Sequence, residues 1–275
     1  MARKDISVTK NKIGKYRTWV VDFDGTLVNS SFKYSSAVKN SIKLLLEKDC
    51  DFCIATGRPY FGLIRQTCKE LKLTSPQIIS GGSGIIDPNS EKLLWKKLIS
   101  ARTVQKLLEL FERKSYSFSV ASDKHVFSPE AKFFREYGPE IEFKDTRDLD
   151  MQNVFKIVVN DTTGDNILKV GDKLSHEYPE LHIVRSGINR IVLDITSKKG
   201  TKHSAVLELA KILKVSQSKI VGVGDGYNDY PLLTACGFKI AMDNAPSQLK
   251  KIADLIVPPV TEDGLVNALT KTINA

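Results

Sequence analysis

Two aspartates that are separated by one residue end an apolar run near the start of the chain. Residues 19–30 read WVVDFDGTLVNS, so Asp22 and Asp24 follow three apolar residues and precede a glycine and a threonine. Like charges this close repel, so either a cation lies between them or one of them carries a proton. Such carboxylates can serve as metal ligands, nucleophiles or general acids. A simple Asp-Gly turn is the alternative, but DxDGT is too rare by chance to favour it.

Two later segments could bind an anion. Residues 55–58 read ATGR, where the Thr56 hydroxyl and the backbone N–H groups around Gly57 could form a small cradle. Lys202 lies in TSKKGTKHSAV, just before a predicted helix, and its ammonium could offset the charge of a phosphate. Each signal is weak by itself, because Thr-Gly turns and solvated lysines are common.

A glycine-rich segment in the last quarter of the chain adds two more aspartates. Residues 222–229 read GVGDGYND, with Asp225 and Asp229 around a turn that follows an apolar run. They offer the oxygen ligands that hard cations prefer. A dinucleotide-binding loop is disfavoured, because the third glycine of that fingerprint is missing and no acid is placed to bind a ribose.

The elements that must position these residues alternate along the chain. The apolar runs TWVVDFD, DFCIATG and KIVGVGD predict parallel strands that are buried on both faces. Helical patterns occur at residues 37–48, 60–71, 202–213 and 232–235. This alternation predicts an α/β core with a doubly wound, Rossmann-like parallel sheet. Ligands of such sheets lie beyond the carboxyl ends of the strands, where the polar segments above would meet.

The middle of the chain has a different pattern, in which short paired strands are interrupted by helices. We predict helices at residues 101–114, 130–137 and 165–177, and strands at 117–120, 126–128, 154–160, 181–185 and 190–195. This pattern indicates an inserted α+β domain, bounded by the turns at residues 87–89 and 197–200. We therefore expect a core formed by residues 1–86 and 198–275, and a cap domain formed by residues 87–197.

The bulk composition is that of a soluble globular protein. Of 275 residues, 41% are hydrophobic and 27% are charged, and no apolar run is long enough to span a bilayer. The basic N-terminal segment lacks the apolar core of a secretory signal. The formal charge of +9 favours anionic partners, but the lysines are dispersed and no nucleic-acid-binding motif occurs. We expect a cytoplasmic protein that binds neither nucleic acid nor membrane.

The four cysteines include a CxxC pair, which raises the question of redox or metal chemistry. Cys53 of this pair falls inside a predicted strand, and no second pair could complete a tetrahedral zinc site. We therefore expect buried, reduced thiols, which are typical of a reducing cytoplasm.

Together, the four polar segments resemble the signature motifs of the haloacid dehalogenase superfamily of phosphotransferases, in the same order. The resemblance runs from about Trp19 to the end of the chain and is closest to the Cof-type phosphatases, which carry a large C2-type α/β cap between the second and third motifs. It implies that Asp22 is the nucleophile that forms an aspartyl-phosphate. Asp24 would be the general acid that protonates the leaving alcohol and then the base that activates water. Because dehalogenase members lack the second aspartate of DxD, Asp24 favours phosphoryl transfer.

The resemblance also implies a metal site and a phosphate site. Mg²⁺ would be bound by Asp22, by the backbone carbonyl of Asp24 and by Asp225, with water and substrate phosphate completing its octahedron. Thr56, Gly57 and Lys202 would bind the phosphate, and Asn228 would contact the phosphate or the metal. Asp229 would support Lys202 or the waters of the metal.

Two segments leave the recognition of the substrate open. Residues 80–82 read SGG where Cof-type members usually have Asn-Gly, which puts a substrate contact at this loop in doubt. In the expected cap, Arg185, Asn189 and Arg190 flank a glycine turn at Gly187. They are either contacts to the leaving group or solvated hairpin residues.

The resemblance implies a Mg²⁺-dependent phosphatase that acts on a small phosphorylated metabolite, such as a sugar phosphate, as a monomer or homodimer. A phosphomutase or other phosphotransferase on the same scaffold is an alternative, if the aspartyl-phosphate survives until it meets a second hydroxyl. A non-catalytic binding or regulatory protein is a third hypothesis. The presence of Asp22, Asp24, Lys202 and Asp225 disfavours it, because a non-catalytic protein could lose any of them.

Overall fold

The computed structural model describes residues 15–129, 143–160, 167–186 and 192–273. Its strands are β1 (Thr18–Asp22), β2 (Asp51–Ala55), β3 (Gln77–Ile79), β4 (Gly84–Ile86), β5 (Leu93–Lys96), β6 (Ser117–Ala121), β7 (Val126–Phe127), β8 (Phe143–Lys144), β9 (Lys156–Asn160), β10 (Leu181–Ser186), β11 (Val192–Ser197), β12 (Ile220–Gly224), β13 (Phe238–Met242) and β14 (Leu255–Val257). Its helices are α1 (Ser36–Leu46), α2 (Leu63–Glu70), α3 (Ala101–Arg113), α4 (Ile167–Glu177), α5 (Lys202–Ile212), α6 (Tyr230–Thr234), α7 (Ser247–Ile252) and α8 (Gly264–Ile273).

The first sheet has the strand order β14-β13-β12-β1-β2-β3-β4-β5. The strands from β14 to β3 run parallel, and β4 and β5 extend the edge in antiparallel fashion. Strand β1 pairs with β2 on one side and with β12 on the other, so Asp22 lies opposite Ala55 and Val21 lies opposite Val223. The carboxyl ends of these three strands therefore lie side by side.

Alternating side chains of β1 pack against helices on opposite faces of the first sheet. Trp19 and Val21 belong to a hydrophobic cluster that includes residues of α1, α2 and α8. Val20 belongs to a second cluster that includes residues of α5, α6 and α7. Near-continuous apolar runs such as TWVV therefore form strands, because both faces of the sheet are buried. The α/β fold class and the doubly wound arrangement are confirmed.

The second sheet has the strand order β10-β11-β9-β6-β7-β8 and is mostly antiparallel. Its central strands alternate strictly: Ile157 and Ile195 face a third hydrophobic cluster, together with side chains of α3 and α4. The neighbouring positions Lys156, Asp194 and Thr196 face the other way, and all three are buried. A face of the second sheet that is both polar and buried needs another part of the chain to cover it.

The structure differs from the expected elements at the edge of the first sheet. The turn at residues 87–89, where we expected the cap to begin, connects β4 with β5 inside the first sheet. Strand β5 therefore pairs with the first sheet although it lies within the range 87–197. The residues Asp-Pro-Asn favour a turn both inside a β-hairpin and between two domains. The sequence alone therefore could not show which kind of turn this is. The helix expected at residues 130–137 lies outside the described residues.

The four cysteines form no disulfide, and Cys53, Cys68 and Cys236 are buried. Burial raises the pKa of the Cys53 thiol well above its usual value, which keeps it protonated. In the described part of the chain, no helix is both long and apolar enough to cross a membrane.

Candidate active site

Asp22 ends β1 with its carboxylate buried, and Lys202 is its direct partner. The Nζ atom of Lys202 donates hydrogen bonds to Oδ1 of Asp22 at 2.5 Å and to Oδ1 of Asp229 at 2.6 Å. Lys202 is the first residue of α5, and the side chain of Thr201 caps this helix by accepting a hydrogen bond from the Ser204 N–H. The start of α5 thus fixes an ammonium at the end of the central strand.

The turn after β12 brings two further carboxylates to the same point. Asp22, Asp225 and Asp229 each offer an oxygen, and these three oxygens lie within 4.8 Å of one another. Asp229 is held in place because its Oδ2 accepts hydrogen bonds from the backbone N–H groups of Asp225 and Gly226 at 3.0 and 2.9 Å. Residues separated by about two hundred positions therefore form one acidic cluster.

Asp225 is oriented by groups from two other loops. Thr26 donates to its Oδ1 at 3.3 Å, and the side-chain amide of Asn244 donates to its Oδ2 at 3.1 Å. Gly25 passes directly beside it with a φ of +85°, and a Cβ on Gly25 would lie 2.3 Å from Asp225 Oδ2. Only glycine fits here, which gives the glycine of the DxDGT segment a structural reason.

The acidic cluster holds more negative than positive charge, and this shifts the pKa values of its members. Burial raises the pKa of Asp22 well above its usual value, and the charge of Asp229 adds to the effect. Burial and Asp229 also raise the pKa of Asp225 to about 7. Burial opposes the charge of Lys202, but the carboxylates of Asp22 and Asp229 raise its pKa above the usual value overall. Lys202 therefore stays protonated and charged, whereas the raised pKa values of Asp22 and Asp225 favour the neutral forms of these acids.

These residues fit a hard divalent cation. One ammonium faces three buried carboxylates, so the fully ionised cluster carries two uncompensated negative charges. All the ligand atoms are oxygens, which suits Mg²⁺ or Ca²⁺ better than softer metals. Asp22 and Asp225, which we expected to bind metal, lie in the cluster. Asp229, which we expected in a supporting position, also lies there.

The carboxylate of Asp24 turns away from this cluster. Its two oxygens accept hydrogen bonds from Nε and Nη2 of Arg58, the shortest of which are 2.7 and 2.8 Å. The side chain of Asp24 is 40% exposed, whereas that of Arg58 is 12% exposed. Two aspartates that are one residue apart thus occupy different environments, one beside an ammonium and one beside a guanidinium. The role of Arg58 could not be read from the sequence, where it is one residue in a weak motif.

The remaining residues of the expected phosphate site surround the same strand ends. Thr56 is buried just after β2, and its Oγ1 accepts a hydrogen bond from the Arg58 N–H at 3.0 Å. Asn228 and Lys202 both line a cavity between the two sheets. Gly57 follows Thr56, and a Cβ on it would lie 3.1 Å from Nζ of Lys156, which belongs to the second sheet.

The second sheet contributes residues to this cavity that the sequence analysis missed. His182, Val184, Asp194 and Thr196 line it opposite Gly81, Lys202, Asn228 and Pro231. Lys156 pairs with Thr196 in the β9–β11 register, and its ammonium donates to Asp194 Oδ2 at 3.0 Å. We call Lys156, His182, Asp194 and Thr196 the polar wall. The signal for it in the sequence was Lys156 at the start of the apolar run KIVV, and Asp194 and Thr196 on either side of Ile195.

Of the residues that we singled out in the expected cap, the structure describes Arg185, which is not among those that line this cavity. The guanidinium of Arg185 lies over the ring of Tyr227, 5.3 Å from its centroid, and so connects β10 to the turn after β12. Gly187, Asn189 and Arg190 lie outside the described residues.

Comparison with known proteins gives consistent matches along the chain. The family model of haloacid dehalogenase-like hydrolases matches residues 19–269. The Bacillus subtilis (strain 168) phosphatase YwpJ is 24% identical over 280 residues, covering 90% of this chain and 97% of that protein. The 5-amino-6-(5-phospho-D-ribitylamino)uracil phosphatase YwtE of the same organism is 23% identical, covering 89% and 94%. A solved structure of a subclass IIB sugar phosphatase superposes with a TM-score of 0.82 at 18% identity, covering 94% of this chain and 100% of that one.

Proposed function

Because the chain belongs to the haloacid dehalogenase-like hydrolases, we propose that it is a phosphatase that transfers a phosphoryl group first to Asp22 and then to water. The observation that carries this proposal is the position of the Asp22 carboxylate. It is buried at the end of β1, where it accepts a hydrogen bond from the ammonium of Lys202 and lies close to the carboxylates of Asp225 and Asp229. A carboxylate that is fixed and desolvated in this way is suited to attack an electrophile.

The proposed reaction has two steps. An oxygen of Asp22 forms a bond to phosphorus while the ester P–O bond breaks, and Asp24 gives its proton to the leaving oxygen. A water molecule then attacks phosphorus and gives a proton to Asp24, and the bond between phosphorus and Asp22 breaks to release inorganic phosphate. Asp24 is supported in this role by its position, since it is partly exposed and lies outside the acidic cluster. Its ion pair with Arg58 must open before it can carry the proton that it donates.

We propose that Asp22, Asp225 and the backbone carbonyl of Asp24 bind Mg²⁺. When bound, the ion neutralises the excess charge of the cluster and stabilises the charge that develops on the phosphoryl oxygens. The phosphate itself would be bound by the groups of Thr56, Gly57, Lys202 and Asn228. Asp229 holds the Lys202 ammonium in position for this contact, at 2.6 Å.

The second sheet with its helices is proposed as the cap that covers the site. Because β5 pairs with the first sheet, this proposal moves the start of the cap from residue 87 to after residue 96. The relatives named above are phosphatases, one of a ribityl-containing phosphate and one of sugar phosphates. Their names support a small phosphorylated metabolite as the substrate, and we keep the cytoplasm as the proposed location.

Hydrolysis of 4-nitrophenyl phosphate by the purified chain, with Mg²⁺ and with a chelator, tests this function. The wild type should turn over only with metal, and Asp22→Asn should lower kcat by about a thousandfold or more because the nucleophile is lost. Asp254→Asn, which changes an aspartate outside the cluster, is the matched control. Equal rates for Asp22→Asn and wild type would disprove the proposed chemistry. Transfer of phosphate to a second alcohol, without release of inorganic phosphate, would instead identify a phosphotransferase.

A further inference from the structure

The loop at residues 80–82, which reads SGG, has an unusual backbone conformation. The φ angles of Ser80, Gly81 and Gly82 are +53°, +73° and +98°. Glycine adopts such angles readily, but serine adopts them at a cost in free energy. A residue with a side chain keeps a positive φ only where its surroundings hold it there, and such residues cluster at functional sites. The contacts of the 80–82 loop should therefore show what this conformation does.

One side of the 80–82 loop holds the segment that follows β2. The Ser80 N–H donates a hydrogen bond to the Arg58 carbonyl at 2.8 Å, and the Gly81 N–H donates one to the Thr56 carbonyl at 2.9 Å. The Arg58 N–H is itself bound to Oγ1 of Thr56 at 3.0 Å, so both backbone groups of Arg58 have a partner. The position of the Arg58 backbone therefore depends on the 80–82 loop.

The side chain of Arg58 is fixed as well. Its guanidinium lies over the rings of Phe23 and Phe32, 5.9 and 4.7 Å from their centroids, and it donates to both oxygens of Asp24. When this ion pair opens and Asp24 takes up a proton on one oxygen, its other oxygen can still accept a hydrogen bond from the guanidinium. A continuous series of contacts thus runs from Ser80 through Arg58 to the proposed proton donor.

The other side of the 80–82 loop packs against the start of α5. A Cβ on Gly82 would overlap the backbone atoms of Thr201 and Lys202, so only glycine fits at this position. Ser83, directly after the loop, donates from its hydroxyl to the Gly200 carbonyl at 3.3 Å. Close packing therefore restricts the loop on this side, and its hydrogen bonds restrict it on the side of β2.

We propose that Ser80 is a positioning residue for proton transfer by Asp24, and that it acts through its backbone conformation. This inference rests on the proposed phosphatase function and adds to it a residue that acts through Arg58. The Ser80 hydroxyl is buried and has no hydrogen-bond partner among the residues that the structure describes, so the side chain does not hold Arg58. The N–H groups of Ser80 and Gly81 do, and the left-handed conformation of the loop directs them at the segment after β2.

The test uses two esters of similar shape, 4-nitrophenyl phosphate and phenyl phosphate, whose leaving groups differ in their need for a proton. The nitro group stabilises the departing phenolate, so 4-nitrophenyl phosphate depends less on an acid than phenyl phosphate does. The measured quantity is kcat/KM for phenyl phosphate divided by kcat/KM for 4-nitrophenyl phosphate, because kcat/KM covers the step in which the ester bond breaks. Asp24→Asn, which removes the proposed acid, should lower this ratio by about a hundredfold. A general loss of active structure lowers both values and leaves the ratio unchanged.

Two substitutions of Ser80 separate the backbone from the hydroxyl. Ser80→Thr keeps the hydroxyl, but its branched Cβ disfavours a positive φ, so it should displace the loop and lower the ratio about tenfold. Ser80→Gly removes the hydroxyl but permits the same conformation, so it should retain most of the wild-type ratio. Ser115→Thr is the matched control, because Ser115 has a φ of +54° and lies just after α3. It should keep the wild-type ratio.

A double variant tests whether the effect passes through Asp24. In the Asp24→Asn background, Ser80→Thr should change the ratio no further, because the group that it positions is already absent. A further tenfold fall there would show that Ser80 acts by another route and would overturn the proposal. Thermal unfolding establishes that each variant is folded. If Ser80→Thr does not fold, Gly81→Ala replaces it, because the φ of +73° strains any residue with a side chain, and the same fall is expected.

The outcomes separate this inference from the proposed function. If the wild type hydrolyses both esters with dependence on Asp22 but folded Ser80→Thr keeps the wild-type ratio, the positioning role is wrong and the phosphatase function stands. A loss of the ratio in folded Ser80→Gly would show that the hydroxyl acts directly, which also overturns the proposal. If neither ester is hydrolysed, the proposed function fails and this inference fails with it.

Discussion

The ammonium of Lys202 donates a 2.5 Å hydrogen bond to the carboxylate of Asp22, which lies 180 residues earlier in the chain. It donates a second hydrogen bond, at 2.6 Å, to Asp229. All three side chains are almost completely buried, so the charge of Lys202 compensates acids that water cannot reach. The hydrogen bonds of Lys202 therefore matter both for the stability of the first sheet and for the structure of the candidate active site.

Lys202→Met should therefore destabilise the protein strongly when no metal is present. Removing one partner of a buried ion pair costs about 3–5 kcal/mol, because the remaining charges are left uncompensated. Urea-induced unfolding gives the free energy of unfolding, and Lys211→Met, which breaks an exposed pair with Glu208, is expected to change it by less than about 1 kcal/mol. Similar losses in the two variants would show that the buried network does not stabilise the fold.

Metal binding should depend on pH through Asp225. Its pKa is about 7 in the folded, metal-free chain, because burial and Asp229 raise it from about 4 in the unfolded chain. The folded state therefore holds more protons between these values, and this group lowers the stability of the metal-free protein as pH rises from about 4 to 7. Mg²⁺ needs the ionised carboxylate, so it binds more tightly over the same rise in pH.

The measurement is Tm with and without Mg²⁺ at pH 5.5 and pH 8. The increase in Tm caused by Mg²⁺ should be larger at pH 8, and it should be nearly lost in Asp225→Asn. Asp254→Asn should behave like the wild type at both pH values, since its carboxylate pairs with Lys239 away from the cluster. A Mg²⁺ effect that is equal at both pH values would mean that Asp225 does not titrate in this range.

Arg58→Lys should lower kcat more than it changes KM. Lysine keeps the charge but cannot form the two-pronged contact by which Arg58 fixes both oxygens of Asp24. If Asp24 moves protons, its misplacement should reduce kcat about tenfold, within the usual contribution of acid–base catalysis. Arg65→Lys changes another arginine–carboxylate pair, that with Glu91, and should leave the kinetics as in the wild type. Equal kinetics for Arg58→Lys and wild type would remove Arg58 as a positioning residue.

Gly25→Ala should impair metal binding without a change of charge. A Cβ at this position would lie 2.3 Å from Asp225 Oδ2, so the carboxylate must move, and the φ of +85° adds backbone strain. We expect at least a tenfold weaker affinity for Mg²⁺, measured by calorimetric titration, of roughly the size that follows the loss of a supporting contact. Gly62→Ala controls for the strain, because Gly62 has a φ of +57° and lies outside the acidic cluster. Unchanged affinity in Gly25→Ala would contradict the observed packing.

The sequence predicted the acidic cluster well because its members belong to local motifs at strand ends. Asp22 and Asp225 follow apolar runs, and the carboxyl ends of parallel strands meet at one edge of a sheet. The polar wall could not be predicted in the same way. Lys156 and Thr196 are neighbours only because β9 pairs with β11 in one particular register, and short strands do not reveal their register. The contact between Arg58 and Asp24 likewise depends on the path of two loops.

The pairing of β1 with its two neighbours in the first sheet affects how the chain folds during its synthesis. One edge of β1 pairs with β2, within the next few dozen residues, but the other edge pairs with β12, which begins at Ile220. A ribosome that adds about 5–20 residues per second needs roughly 10–40 s to produce the residues between them. During that time the nascent polypeptide presents an apolar strand edge without its final neighbour, the kind of surface that promotes aggregation. We expect the strand that ends at Asp22, the proposed nucleophile, to need shielding by chaperones until synthesis is nearly complete.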